Sequence, residues 1–213
     1  MPDAIRLTAI DESNIGLHAR LTADDKCYFV FEYTSGQGYD FSATNSLISN
    51  LKKKPGAKGQ YYKDQAIGRC AAVFRQTLNS DWLAAATLVP VPPSKAVGHA
   101  DHDDRMERIC RAIRPGLDVR PLVRQTASTT AAHEAGAGER PSVEDLLAIY
   151  AIDEALAQPA PDTIGIFDDV LTAGTHYRAM EISLRSHFPG IPIFGFFIAR
   201  RVFPTPDFDE WFG

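Results

Sequence analysis

The chain has 213 residues, 45% hydrophobic and 23% charged, which suits a soluble globular domain of ordinary size with an appendage. Lys and Arg number 22 against 27 Asp and Glu, and the net charge of −5 argues against a general nucleic-acid or membrane-surface role. No apolar run is long enough to span a bilayer and the N-terminus carries no apolar signal core, so a cytoplasmic location is expected.

Taken in order, Ala4–Ile10 alternates weakly as a strand. Cys27–Thr34 is rich in aromatic and β-branched residues and predicts a firmer one. Ser35-Gly36-Gln37-Gly38 then reads as a hairpin turn, with Tyr39–Phe41 as the return. Thr44–Leu51 carries Leu47, Ile48 and Leu51 at helical spacing and runs into Lys52-Lys53-Lys54-Pro55-Gly56. The lysines could attract an acidic ligand; the simpler reading is favourable charge at a helix C-terminus. Tyr61–Leu78 predicts a helix, with Tyr62, Ala66, Ile67, Cys70, Phe74 and Leu78 on one face. The three cysteines, Cys27, Cys70 and Cys110, lie far apart without metal spacing and are expected to pack as small apolar residues.

Leu88-Val89-Pro90-Val91-Pro92-Pro93-Ser94-Lys95 begins as a buried strand, and its prolines then force an irregular loop. The cluster His99, Asp101, His102, Asp103, Asp104 invites a metal reading, but it enters a helix over Asp103–Arg114, where aspartates serve as caps. Leu117–Val123 alternates as a strand. Arg124–Arg140 is rich in Ala, Thr and Gly, cannot supply core, and has the length of a functional loop. Ser142 caps a short helix holding Val143, Leu146 and Leu147, and Ile149–Ile152 follows as a short strand. Ile191–Ala199 is an apolar strand ending at Arg200-Arg201, and the tail offers Phe208, Trp211 and Phe212 for docking on the domain.

The stretch Thr163–Tyr177 carries the chemistry. Thr163-Ile164-Gly165-Ile166-Phe167 reads as a buried parallel strand, and Asp168-Asp169 falls at its end. Val170-Leu171-Thr172-Ala173-Gly174-Thr175-His176 then enters an amphipathic helix. Small residues at a strand-to-helix turn let backbone N–H groups converge on an anion, and the helix N-terminus adds partial positive charge. Thr172 and Thr175 add hydroxyl donors. The paired carboxylates can accept hydrogen bonds from vicinal sugar hydroxyls or bear on Mg²⁺. A ribose 5-phosphate fits both halves. Gly174 is expected where N–H groups wrap the phosphate, so that a side chain there would block the anion or demand a disfavoured backbone. An ordinary capped turn, or an acidic strand end of response-regulator or phosphatase type, is the competing reading of the residues alone.

This pattern, Asp-Asp, two apolar residues, then Thr-Ala-Gly-Thr, resembles the PRPP-binding motif of class I phosphoribosyltransferases. The strand ending in Val-Pro-Val-Pro resembles the start of the catalytic domain in ComF-type members of that group. The resemblance covers roughly the last 130 residues. It implies an α/β fold, a Rossmann-like parallel sheet flanked by helices over 81–213, with residues 1–80 as a small N-terminal α+β hood shaping the acceptor pocket. It implies PRPP binding by Asp168, Asp169, Thr172, Ala173, Gly174, Thr175 and His176, with Ser94 and Lys95 at the pyrophosphate. The loop residues Arg124, Ser128, Thr129, His133 and Arg140 would close over PRPP, and Asp168, Asp169, Lys95 and Arg124 would form the catalytic set. Mg²⁺ would be the cofactor, touched by Asp168 and Asp169 only through PRPP. Arg105 is a loose counterpart of an arginine segment in ComF-type proteins.

The partners implied are PRPP and a small, nitrogenous acceptor, with a homodimer allowed and neither membrane nor nucleic acid expected. Two departures matter. Thr172 stands where purine-salvage members carry an aspartate, which argues against hypoxanthine or guanine as acceptor. His176 stands where Thr or Ser is usual. Besides a transferase, the motif suits a PRPP- or nucleotide-sensing protein without turnover, or a ComF-like accessory of DNA uptake or handling.

Overall fold

The computed structural model describes residues 5–56, 58–128 and 140–204. In chain order the strands are Thr8–Ala9 (β1), Lys26–Thr34 (β2), Thr87–Pro90 (β3), Asp118–Val119 (β4), Val123–Gln125 (β5), Tyr150–Ile152 (β6), Ile164–Leu171 (β7) and Ile193–Val202 (β8). The helices are Ala43–Leu51 (α1), Gln60–Thr77 (α2), Ser80–Ala85 (α3), Arg105–Ile113 (α4), Val143–Ile149 (α5) and Thr175–His187 (α6). Six strands form one sheet in the order β1-β2-β8-β7-β3-β4, and β5 pairs with β6 in a separate ribbon. Among the described strands of the large sheet, β1 runs antiparallel to its neighbour and the other pairs are parallel. The architecture is α/β, a mostly parallel sheet flanked by helices.

Alternation along the central strands explains the two cores. Phe167, Phe196 and Ile198 face one side, against Cys70 and Phe74 of α2 and Ile109 and Cys110 of α4. Ile164, Ile166 and Phe197 face the other, against Tyr177, Met180 and Leu184 of α6. All three cysteines are buried and free, and burial pushes the thiols of Cys27 and Cys70 up to about 12, which keeps them unreactive.

Two local expectations change. Tyr39–Phe41 does not return as a hairpin strand: Ser42 caps α1 by accepting from the Asn45 N–H at 3.0 Å. Buried Asn45 meanwhile accepts from the Thr34 N–H and donates to the Thr34 carbonyl, closing the end of β2 (3.2 and 3.0 Å). The neighbours of β2 are β1 and, in parallel, β8. Leu117–Val123 is split, because Pro121 has no N–H to continue a ladder. The chain leaves β3 after Arg120 donates to the Leu88 carbonyl at 3.0 Å, and β5 pairs with β6 instead. Within the stretch expected as a small hood, residues 1–80, β1 and β2 belong to the large sheet and α2 packs on α4. Phe208, Trp211 and Phe212 of the tail lie outside the described residues.

Gly195 of β8 sits where α6 presses on the sheet. A Cβ there would come within 2.7 Å of the Tyr177 ring and 2.8 Å of Cys27 Sγ. Gly195→Ala is expected to lower stability by about 1–3 kcal/mol through overpacking. A shift of the urea midpoint checks this; an unchanged midpoint would show that Tyr177 gives way freely.

Candidate functional site

The carboxyl ends of β7 and β3 build the site. Residues 168 and 169 are consecutive on β7, so their side chains leave on opposite sides and meet different neighbours. Asp169 is 5% exposed. Its Oδ2 accepts from Arg105 Nη2 at 2.7 Å and Nε at 3.1 Å, and its Oδ1 lies 3.2 Å from Lys52 Nζ. Arg105 opens α4, and Lys52 closes α1. The chain of charges continues: Arg105 Nη1 reaches Asp103 at 2.7 Å, and Asp103 takes Lys63 Nζ at 2.6 Å. Buried Lys63 also donates to the carbonyls of Leu51 (3.1 Å) and Lys53 (2.5 Å), tying α2 to the end of α1. Burial opposes ionisation of Asp169, but Lys52 and Arg105 outweigh it and hold the carboxyl far below the usual range.

Asp168 is treated differently. One of its oxygens accepts the Asp169 N–H at 2.7 Å. Burial, and then the fixed charge of Asp169, push its pKa up to about 7. The two acids share a cavity of about 110 Å³ lined by Lys52, Ser94, Arg105, Thr172 and His176.

The turn after β7 is held from behind. Gly174 has φ +90°, in the left-handed region, and forms the N-cap of α6. The Thr172 carbonyl accepts from His18 Nδ1 at 2.5 Å and the Ala173 carbonyl from the Arg20 N–H at 2.8 Å. A Cβ on Gly174 would meet Leu21 Cδ2 at 3.1 Å, so a side chain there would strike the N-terminal segment. Of the two obstacles expected for a side chain at 174, the disfavoured backbone is the one present, with φ at +90°. His176 Nδ1 lies 3.0 Å from the Tyr150 hydroxyl, and burial lowers the imidazole to about 4.

Asp168, Asp169, Thr172, His176 and Ser94 thus share one cavity, with Ala173, Gly174 and Thr175 forming the turn beside it. Lys95 and Arg124 line the adjoining cavity of about 120 Å³, beyond the Pro92–Pro93 segment. Arg124 pairs with Asp153 at 3.3 Å. Ser128 accepts from the Ala96 N–H at 3.1 Å, joining the start of the loop to the proline-rich segment. Arg140 is exposed, and Thr129 and His133 lie outside the described residues. Lys52, Tyr150 and His18 were not expected near the motif. Each is remote in sequence, and only the run of lysines hinted at an anion partner.

Among the described residues no three of His, Cys, Asp and Glu converge as a metal site, the loop cluster at 99–104 included. With Asp169 committed to two cations, Asp168 is the carboxylate with an oxygen to spare, and one oxygen is fewer than a resident Mg²⁺ takes from a protein cage. No protein-family model matches the chain, and no curated protein matches it significantly.

The carboxyl shifts give a stability test. The folded pKa of Asp168 lies above the unfolded value of about 3.9, so its contribution is favourable at low pH and is lost as pH rises to about 7. Asp168→Asn is expected to be more stable than wild type at pH 8, by on the order of 1–3 kcal/mol, and to lose that advantage toward pH 4. His176, lowered to about 4, pulls the other way in wild type, since its neutral burial is favourable at high pH and lost as pH falls below about 6.5. Melts across pH 4–8 decide. A constant difference between variant and wild type would mean that Asp168 titrates normally.

Proposed function

We propose that the chain binds PRPP and transfers its phosphoribosyl group to a small nitrogenous acceptor, releasing pyrophosphate. The observation that supports this most is the unequal pair: one carboxylate fixed as an anion, one with an available oxygen, beside a glycine turn that opens a helix. A class I phosphoribosyltransferase type of sheet fits the mostly parallel α/β architecture.

In this reading the 5-phosphate takes the N–H groups of Thr172–His176 and the dipole of α6. Asp168 accepts a ribose hydroxyl through its available oxygen. Asp169 stays ionised and holds Lys52 and Arg105 at the wall of the cavity while the C1–oxygen bond to pyrophosphate breaks. The acceptor nitrogen forms the new bond to C1 on the opposite face and gives up its proton. Lys52 and Arg105 line the same cavity and face the departing anion, a role the sequence suggested for Lys95 and Arg124. Mg²⁺, bound with PRPP, would neutralise the pyrophosphate. The placing of Lys95 and Arg124 in the adjoining cavity favours a second reading, a PRPP sensor without turnover.

PRPP with Mg²⁺ should raise the melting temperature by mass action. Asp168→Asn should weaken PRPP about tenfold to a hundredfold, since a charged hydrogen-bond acceptor is worth roughly 1.5–3 kcal/mol. Asp169→Asn should chiefly destabilise the fold, by about 3–5 kcal/mol, because Lys52 and Arg105 lose their counter-charge. Calorimetric titrations and melts on both variants check this division. Equal loss of PRPP by two stable variants would contradict it. Pyrophosphate release during a screen of nitrogen bases separates the transferase from the sensor.

A further inference from the structure

The segment His18–Asp25 runs behind the turn Thr172–Gly174 as a strap. Two of its donors take consecutive carbonyls of the turn: His18 Nδ1 takes Thr172 and the Arg20 N–H takes Ala173. Leu21 closes on Gly174. Helix α6 secures the strap in turn, with Arg178 Nε donating to the Arg20 carbonyl at 3.0 Å and Arg178 Nη2 pairing with Asp25 at 2.5 Å.

A trans peptide sends its C=O and the next N–H to opposite sides. With the carbonyls of Thr172 and Ala173 turned to the strap, the N–H groups of Ala173 and Gly174 point away from it. Consecutive N–H groups aimed one way make an anion-binding concavity. His18 is the side chain that fixes the first of these planes. It is 0% exposed, and a carbonyl partner requires Nδ1 to carry the proton. Its Nε2 has no hydrogen-bond partner among the described residues. Burying a ring nitrogen unpartnered opposes folding, so packing alone is a poor reason for an imidazole here. Burial also keeps the ring neutral, which preserves the Nδ1–H donor without adding a cation.

We propose that His18 is a positioning residue for the 5-phosphate: through the Thr172 carbonyl it turns the Ala173 and Gly174 N–H groups toward the anion. The inference rests on the transferase reading of the site and adds a residue some 150 positions from the motif, by the separation of His18 from Thr172.

The test titrates ribose 5-phosphate and inorganic pyrophosphate separately into wild type, His18→Ala and His18→Asn, and follows the wild-type amide signals by NMR. In wild type the Ala173 and Gly174 amides should shift as ribose 5-phosphate binds. His18→Ala should weaken ribose 5-phosphate roughly tenfold, the loss of about one charge-assisted hydrogen bond, and leave pyrophosphate nearly unchanged. His18→Asn, which keeps a side-chain N–H, should recover part of the loss. Unchanged ribose 5-phosphate affinity in folded His18→Ala overturns the inference, and so does equal weakening of both ligands, the mark of a merely structural residue. Should His18→Ala not fold, His18→Asn and the wild-type amides decide. Wild type that binds ribose 5-phosphate with silent Ala173 and Gly174 amides sinks this inference alone. Wild type that binds no ribose 5-phosphate sinks the transferase reading and the inference with it.

Discussion

A carboxylate buried at the end of a central strand must be compensated, and Asp169 is compensated twice. Lys52 comes from the end of α1 and Arg105 from the start of α4, so one charge fixes where two helices meet the sheet. Asp103 and Lys63 extend the arrangement to α2. Buried ion pairs add little stability over well-packed apolar groups, yet losing one partner costs about 3–5 kcal/mol. The network therefore contributes definition more than net stability. It specifies that the lysine-rich end of α1 sits over the carboxyl end of β7, and so that the cavity has cationic walls.

The same charge sets the chemistry of its neighbour. Burial, and then the fixed charge of Asp169, raise the pKa of Asp168, while the cations beside Asp169 lower its own. Two adjacent aspartates of identical covalent structure thus acquire unlike proton affinities from their surroundings. The turn that follows is governed from the opposite side, by a strap that takes its carbonyls and leaves its N–H groups to the other face. In the proposed function the turn is an anion site whose dipoles are fixed before the ligand arrives, so little reorganisation is needed on binding, which is the condition for electrostatic stabilisation.

Much of this was legible in the order of residues. The buried run before Asp168, the glycine turn and the amphipathic helix gave β7, its turn and α6, because period and turn chemistry are local properties. α1, α2 and α4 followed from their apolar faces. What escaped was non-local. The aromatic and β-branched residues of Cys27–Thr34 announce a strand but not whether its partner is Tyr39–Phe41 or β8, and the structure chooses β8. Leu117–Val123 alternates throughout, yet Pro121 ends the ladder and sends Val123 to another sheet. Lys52 carried a local explanation, charge at a helix end, that hid its distant partner. His18 lies in a segment with no periodicity, and its meaning depends on a carbonyl that no side-chain pattern displays.

The central claim is that the Asp168–His176 region holds a phosphorylated ribose. A crystal structure with PRPP and Mg²⁺ tests it most directly. The account predicts the 5-phosphate within hydrogen-bond distance of the Ala173, Gly174 and Thr175 N–H groups, a ribose hydroxyl on Asp168, and Asp169 still paired with Lys52 and Arg105. PRPP seated elsewhere, or Asp169 released from both cations to take the ribose, would contradict it.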